Sequence, residues 1–378
     1  MIKVAVVFGT RPEAIKMVPV IKELKKKKGD LACRVILTAQ HRRMLDQVMD
    51  AFKVKADYDL DIMKRSQTLD YITGEVIAGI REILRKEKFE LVLVHGDTTT
   101  TLAASLAAYY EKTKLGHVEA GLRSLDRYNP FPEEMNRRLT DALCDLFFVH
   151  TRSARENLIK ENMNPERIWV TGNPVIDALM EVSRRKIPYE NKQLHKLEKN
   201  KKIILVTAHR RENFGKPMEN ICFALKRIKK TYKDTGIIYP VHKNPSVWDT
   251  AHRILKNEKG IMLTEPLCYT DFVNVMKMAY LVLTDSGGLQ EEAPSLGKPV
   301  LLLRKVTERP EAVKAGTVKI IGTDEDTIVE NVKLLMERKT IYRRMANSVN
   351  PYGDGKAAER IVGTIKKLQK KGFFSLQA

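Results

Sequence analysis

The chain has 378 residues, 43% of them hydrophobic and 30% charged, and a formal net charge of +20. Its length suits two domains rather than one, and its composition excludes a disordered or fibrous chain. No apolar run approaches the roughly 20 residues of a membrane span, and the short run before Gly9-Thr10-Arg11 lacks the length and cleavage site of a signal peptide. The expected location is therefore the cytoplasm, with no membrane insertion.

Short apolar, β-branched runs alternate with helix-period segments along the chain. In the first half they predict strands at Val4–Phe8, Arg34–Thr38, Leu91–Val94, Gly116–Val118, Leu146–His150 and Ile168–Val170. A helix is expected over Pro12–Lys27, with Ile15, Val18, Ile21 and Leu24 on one face, and Ser153-x-x-Glu156 reads as a capping box after the fifth strand. The second half repeats the plan at Ile203–Thr207, Ile237–Val241, Ile261–Leu263, Leu281–Thr284, Val300–Leu303 and Val318–Ile321, with helices over Asn220–Tyr232 and Thr327–Arg338. Apolar strands alternating with amphipathic helices imply parallel sheets covered on both faces. The fold class expected is α/β, with two Rossmann-like doubly wound domains facing across a cleft. The boundary is placed near Thr171-Gly172-Asn173-Pro174, giving domains of 1–172 and 173–354.

Cys33, Cys144, Cys222 and Cys268 are scattered and form no CxxC pair, and the eight histidines show no HExxH spacing. No metal site and no disulfide framework is expected. The basic excess concentrates at Lys25–Lys28, Lys196–Lys202, Lys226–Lys233 and Lys366–Lys371, without interleaved aromatics or an RNA-binding signature, and reads as solvated helix faces rather than a nucleic-acid surface. Such a field still favours capture of a small anionic ligand.

In a doubly wound domain ligands bind beyond the carboxyl ends of the strands, so the polar residues there carry the function. After the first strand, Gly9-Thr10-Arg11-Pro12 permits a tight turn into a helix start suited to an anion, with Arg11 and Lys16 adding charge. The third strand runs into His95-Gly96-Asp97, where Asp97 is a helix cap or an acid. Glu119 follows the next strand among neighbours that read as buried. The segment Asn129-Pro130-Phe131-Pro132-Glu133-Glu134 adds carboxylates on a stiffened loop. Acids gathered in one cleft split their protonation behaviour and yield an acid and a base.

In the second half, His209-Arg210-Arg211 follows the first strand and suits a phosphate clamp, and His242 ends the second. Ser286-Gly287-Gly288 opens a helix whose amides and dipole suit a diphosphate. Glu292, one turn further on, suits two ribose hydroxyls, and Arg309 supplies a guanidinium.

Taken in order, FGTRPEAIKM, TAQHRRMLDQ, VLVHGDTTTTLAASLAA, GHVEAGLR, PFPEE, HRRENFG, YPVHKNP, TDSGGLQEEAPSLGKPV, TERPEA and NPYGDGKA closely resemble the non-hydrolysing UDP-N-acetylglucosamine 2-epimerases. The resemblance spans nearly the whole chain. It implies a glycosyltransferase B type fold, completed in domain one by a C-terminal helix at about 355–378, and a homodimer. It also implies elimination of UDP to 2-acetamidoglucal followed by re-addition, with no cofactor. Asp97, Glu119 and Glu133 match the family's acid–base carboxylates, and His209 the residue on the diphosphate side. Arg11, Lys16, Phe272, Ser286, Gly287, Gly288, Glu292 and Arg309 match its nucleotide contacts. Gln40, His41, Gln67, Arg211 and His242 are compatible with the regulatory UDP-sugar site of some bacterial members, although Ser66 stands where that pattern has Arg. A glycosyltransferase or a hydrolysing epimerase of the same fold is the alternative.

Overall fold

The structure, a computed structural model, describes residues 1–27, 29–197 and 202–375. The basic runs at 25–28 and 196–202 and the expected terminal helix at 355–378 therefore lie partly outside the described residues. The chain forms two compact units: Met1–Ala178 with Tyr352–Ala378, and Leu179–Pro351.

The first unit carries β1 (Ile2–Phe8), β2 (Leu31–Leu37), β3 (Tyr58–Asp59), β4 (Leu91–His95), β5 (Lys114–Val118), β6 (Leu146–Val149) and β7 (Ile168–Val170). They form one sheet in the order β3-β2-β1-β4-β5-β6-β7, and every neighbouring pair is parallel. The helices of its main segment are α1 (Arg11–Lys26), α2 (Arg43–Phe52), α3 (Leu69–Lys86), α4 (Thr99–Tyr110), α5 (Glu133–Leu143), α6 (Arg152–Lys160) and α7 (Pro174–Arg184). The division between the units falls within α7, a few residues beyond the Thr171–Pro174 turn.

The second unit has the order β10-β9-β8-β11-β12-β13, built from β8 (Lys202–Thr207), β9 (Thr235–Pro240), β10 (Ile261–Thr264), β11 (Ala279–Thr284), β12 (Val300–Leu302) and β13 (Val318–Ile320). Its helices are α8 (Lys216–Thr231), α9 (Pro245–Leu255), α10 (Tyr269–Met278), α11 (Gly287–Ser295), α12 (Pro310–Lys314), α13 (Glu325–Glu337) and α14 (Lys339–Ala346). The last helix, α15 (Ala357–Lys370), returns to the first unit. Among the described residues no helix is long and apolar enough to cross a membrane.

The burial pattern explains why these runs become strands. Ala5, Val7, Val92 and Val94 pack in one cluster with Val76 and Ile80 of α3 and Ala103, Ala104 and Ala107 of α4. The alternate residues Val4, Val6, Phe8, Leu91 and Leu93 are also fully buried. Side chains alternate across a strand, so a strand apolar on both faces needs cover on both.

Two details differ from the sequence reading. Helix α6 starts one residue before Ser153, at Arg152, and Thr151 caps it by accepting from the Ala154 amide at 3.2 Å; Ser153 sits inside the first turn and is not the cap. The two-residue β3 was not anticipated, because Tyr58-Asp59 is too short to show any alternation.

Candidate active site

Each sheet reverses its winding once, between β1 and β4 in the first unit and between β8 and β11 in the second. Chain crossovers diverge at such a point and leave a crevice beyond the strand ends. The segments after β1 and β4, residues 9–16 and 96–97, and after β8 and β11, residues 209–211 and 286–288, sit at these two places, while Glu119 and His242 follow the neighbouring strands β5 and β9.

In the first unit the β1 and β4 turns are joined by one buried carboxylate. Glu13 accepts the Gly9 and Thr10 amides at 3.1 and 2.8 Å and the hydroxyls of Thr98 and Thr101 at 2.8 and 3.1 Å. Thr98 is the N-cap of α4. Asp97 is consequently free of the capping role, and its Oδ2 accepts Arg137 Nη2 at 2.6 Å while Asn136 holds its carbonyl at 2.9 Å. Arg137 and Asn136 belong to α5, whose first residue is Glu133. The loop acids are thereby tied to the β4 turn. Glu134 is fully buried and accepts the Ser124 and Leu125 amides; Glu133 keeps one oxygen, Oε2, buried without a hydrogen-bond partner among the described residues.

Glu119, directly after β5, is the most constrained residue of the group. Its φ is +69°, a left-handed conformation that costs a non-glycine residue of the order of 1 kcal/mol and clusters at functional sites. Its Oε2 accepts Lys16 Nζ at 2.6 Å and Asn173 Nδ2 at 2.7 Å. Burial alone would raise the Glu119 carboxyl, but Lys16, and after it His95, more than reverse this, and the group lies well below the usual carboxylate range. It is an anion held between side-chain donors. Gly96 turns the end of β4 in left-handed backbone, φ +67°, where glycine is favoured; the turn lies in van der Waals range of Glu119, a Cβ built there being 3.7 Å from Oε1.

Beneath these residues, His117 bonds Asp141 through Nδ1 at 2.6 Å and the Gly96 carbonyl through Nε2 at 2.8 Å. Asp141 also accepts Arg123 Nη2 at 2.7 Å. This fully enclosed set fixes the turn that carries Asp97.

In the second unit β11 is followed directly by Asp285, which is fully buried. Its Oδ2 accepts the His209 and Arg210 amides at 2.8 Å each and Asn213 Nδ2 at 3.0 Å. The His209 ring stacks on His242 at 5.5 Å, with Nδ1 3.6 Å from Asp285 Oδ1. Burial lowers the imidazole's affinity for a proton, Asp285 opposes that, and His242 and Arg210 reinforce it; the net direction is down. Ser286 is the N-cap of α11, and Gly287 and Gly288 form its first turn. A Cβ on Gly287 would lie 2.8 Å from Arg309 Nη1, so only glycine lets the guanidinium lie against the helix start. Glu291 accepts Arg309 Nε at 2.5 Å, and Tyr269 donates to Glu292 at 3.3 Å. Phe272 is the fourth residue of α10 and half-buried.

The residues matched to a regulatory site divide between the units. Gln67 Nε2 donates to the Gln40 carbonyl at 2.8 Å, Thr100 donates to Gln40 Oε1 at 3.0 Å, and the His41 amide donates to Gly9 at 2.9 Å. Ser66 adopts φ +52° beside them. Arg211 and His242 lie in the second unit, both exposed.

Sequence reasoning did not single out His95, His117, Asp141, Asn173 or Asp285 as site residues. His95, His117, Asn173 and Asp285 stand at or near strand ends and Asp141 in the last turn of α5, but their partners lie 18 to 76 residues away, a separation that leaves no local pattern.

The model of the UDP-N-acetylglucosamine 2-epimerase family matches residues 22–366. The chain belongs to this family. A UDP-N-acetylglucosamine 2-epimerase of Bacillus subtilis is 52% identical over 361 residues, covering 96% of this chain and 94% of that protein. The Neisseria meningitidis epimerase, solved bound to UDP-GlcNAc, superposes with a TM-score of 0.89 at 49% identity, over 97% of this chain and all of that one. The Methanocaldococcus jannaschii epimerase, solved with UDP-GlcNAc and UDP, gives 0.78 at 34% identity, over 97% and 99%. The family is one of isomerases, and its members share the two Rossmann-like domains seen here.

Proposed function

We propose that the protein interconverts UDP-N-acetylglucosamine and UDP-N-acetylmannosamine by eliminating UDP and adding it back. C2 of the sugar is not next to a carbonyl, so removing its hydrogen alone would leave an unstabilised carbanion. Elimination avoids that: the C2–H electrons form the C1–C2 double bond of 2-acetamidoglucal while the C1–oxygen bond leaves with UDP. Re-addition with a proton on the opposite face completes epimerisation. The chemistry needs carboxylates for the proton and cations or amides for the departing diphosphate.

The observation that carries this reading is Glu119, buried, ionised and held at φ +69° against the turn of Asp97. A carboxylate kept in such a conformation at a strand end suits proton transfer better than structure. In the proposed division of labour Asp97, Glu119 and Glu133 handle protons. Ser286, Gly287, Gly288 and Arg309, with His209, Arg11 and Lys16, hold and stabilise the diphosphate; Glu292 and Phe272 contact the nucleoside. The family likeness further supports a cytoplasmic homodimer whose product feeds cell-surface polysaccharide, with Gln40, His41, Gln67, Arg211 and His242 as a regulatory UDP-sugar contact.

The test is incubation of purified, chelator-treated protein with UDP-N-acetylglucosamine in heavy water without nicotinamide, followed by proton NMR. Interconversion with deuterium at C2 of the product is expected. Full-rate epimerisation without deuterium would defeat the elimination route, and release of free N-acetylmannosamine with UDP would identify a hydrolysing enzyme instead.

A further inference from the structure

Two histidines are buried in adjacent strands of the first sheet, and they differ in what their rings touch. His117 uses both nitrogens, on Asp141 and on the Gly96 carbonyl. His95, the last residue of β4, is 3% exposed, and both its ring nitrogens are enclosed without a hydrogen-bond partner among the described residues. Leaving a buried polar atom unpaired costs about 1–3 kcal/mol. A histidine retained purely for structure would be bonded as His117 is, so the idle ring of His95 calls for another explanation.

The carboxylate beside it supplies one. His95 Nε2 stands 3.7 Å from Glu119 Oε2, about 1 Å beyond a hydrogen bond. That same oxygen already receives Lys16 Nζ and Asn173 Nδ2. Both donors favour the ionised carboxylate, so a proton resting on Glu119 forfeits the Lys16 ion pair. Glu119 can pass a proton but stores one poorly. If the proton moves on to His95 Nε2, the Lys16 pair is restored and a second pair, imidazolium with carboxylate, is added.

We propose that His95 is the proton store behind Glu119, so that the proton Glu119 exchanges with C2 passes to and from the His95 imidazole. The inference rests on the epimerase reading above. The C2–H bond breaks toward Glu119, its electrons form the C1–C2 double bond, and UDP departs with the C1–oxygen electrons. The Glu119 carboxyl then gives its proton to the Nε2 lone pair of a His95 ring protonated at Nδ1. Re-addition on the opposite face draws a proton from a second acid, and solvent exchange resets both groups. In the reverse direction the imidazolium returns its proton through Glu119. His95 acts through Glu119 and is a positioning and proton-holding residue.

The experiment compares the full-length protein with its His95→Gln variant on UDP-N-acetylglucosamine. The expected result is a kcat about 10²-fold lower, with KM and UDP affinity by calorimetry within about threefold of the parent. The thermal midpoint should not fall, because no hydrogen bond is lost, and the C2-deuterium isotope effect on kcat should be at least as large as in the parent. A kcat within about threefold of the parent overturns the proposal. So does a loss that appears in KM, in UDP affinity or in the thermal midpoint, which would make His95 a packing residue. If the parent binds UDP but does not epimerise, the epimerase reading itself fails, and that outcome is visible before any variant is made.

Discussion

The ends of β5 and β11 each carry a buried carboxylate, and the two are held in different ways. Asp285 after β11 accepts two backbone amides and an asparagine on a single oxygen. Glu119 after β5 accepts only side-chain donors, from Lys16 and Asn173, and sits in left-handed backbone. Backbone amides cannot follow a moving proton, whereas an ammonium and a carboxamide can adjust to one. The first arrangement builds a loop; the second keeps a carboxylate strained and available. A buried acid at a strand end is therefore assigned by its donors, not by burial.

The largest effect expected from this contrast is kinetic. Glu119→Gln keeps the shape and removes the charge, and should lower kcat by about 10²–10⁴-fold while UDP affinity by calorimetry stays within about fivefold. Parent-like turnover would break the comparison at its functional end.

Asp285→Asn should instead act on stability. The amide still offers one acceptor oxygen, but the charge-assisted bonds to the His209 and Arg210 amides are weakened, at about 1–3 kcal/mol. In a unit of this size that lowers the thermal midpoint by roughly 3–10 °C, with a smaller loss in kcat as His209 loosens. A midpoint equal to the parent's, with kcat reduced as far as in Glu119→Gln, would mean that Asp285 is itself a proton carrier.

How the nucleotide is held can be sharpened at one glycine. An Ala at 287 would put its Cβ 2.8 Å from Arg309 Nη1. The guanidinium is the end of a flexible side chain and can yield, so the fold should tolerate the change within about 2 °C. Arg309 would nevertheless leave the helix start. KM for UDP-N-acetylglucosamine should rise about tenfold with kcat within about threefold, the pattern of lost uniform binding. An unchanged KM would remove Arg309 from the nucleotide site.

These contrasts also mark what the sequence could convey. Strands apolar on both faces, such as Val4–Phe8 and Leu91–Val94, announce themselves because burial on both sides imposes a composition. Ser286-Gly287-Gly288 was legible as a helix start with bare amides, but the closeness of Gly287 to the Arg309 guanidinium was not. Glu119 stood out among apolar neighbours, but its left-handed backbone did not, since φ leaves no mark on a single glutamate. Asp97 was ambiguous between cap and acid until Thr98 took the cap. The roles of His95 and His117 depend on which ring nitrogens find partners across the sheet, and two buried histidines with opposite roles look identical in a sequence.

A third carboxylate tests whether donors or burial set the proton affinity when the donors are backbone amides. Asp177 accepts the Ala357 and Ala358 amides at 3.1 and 2.9 Å and so caps α15. By its donors it resembles Asp285, yet burial outweighs those amides and the carboxyl is pushed up to about 6. An unfolded aspartate titrates near about 3.9. Between those values the folded chain binds a proton that the unfolded chain has released, so stability contributed at this site falls as pH rises through the window. Glu119 and Asp141, whose carboxyls are lowered, act in the opposite sense, and the raw pH curve mixes both. The difference between parent and Asp177→Asn isolates the one group, because asparagine keeps an acceptor for the helix start and does not titrate. The parent's thermal midpoint relative to the variant's should fall by a few degrees, roughly 2–4 °C, on going from pH 4 to pH 7. Parallel curves would show that the two amides cancel the effect of burial at Asp177, and a rise would show that they outweigh it.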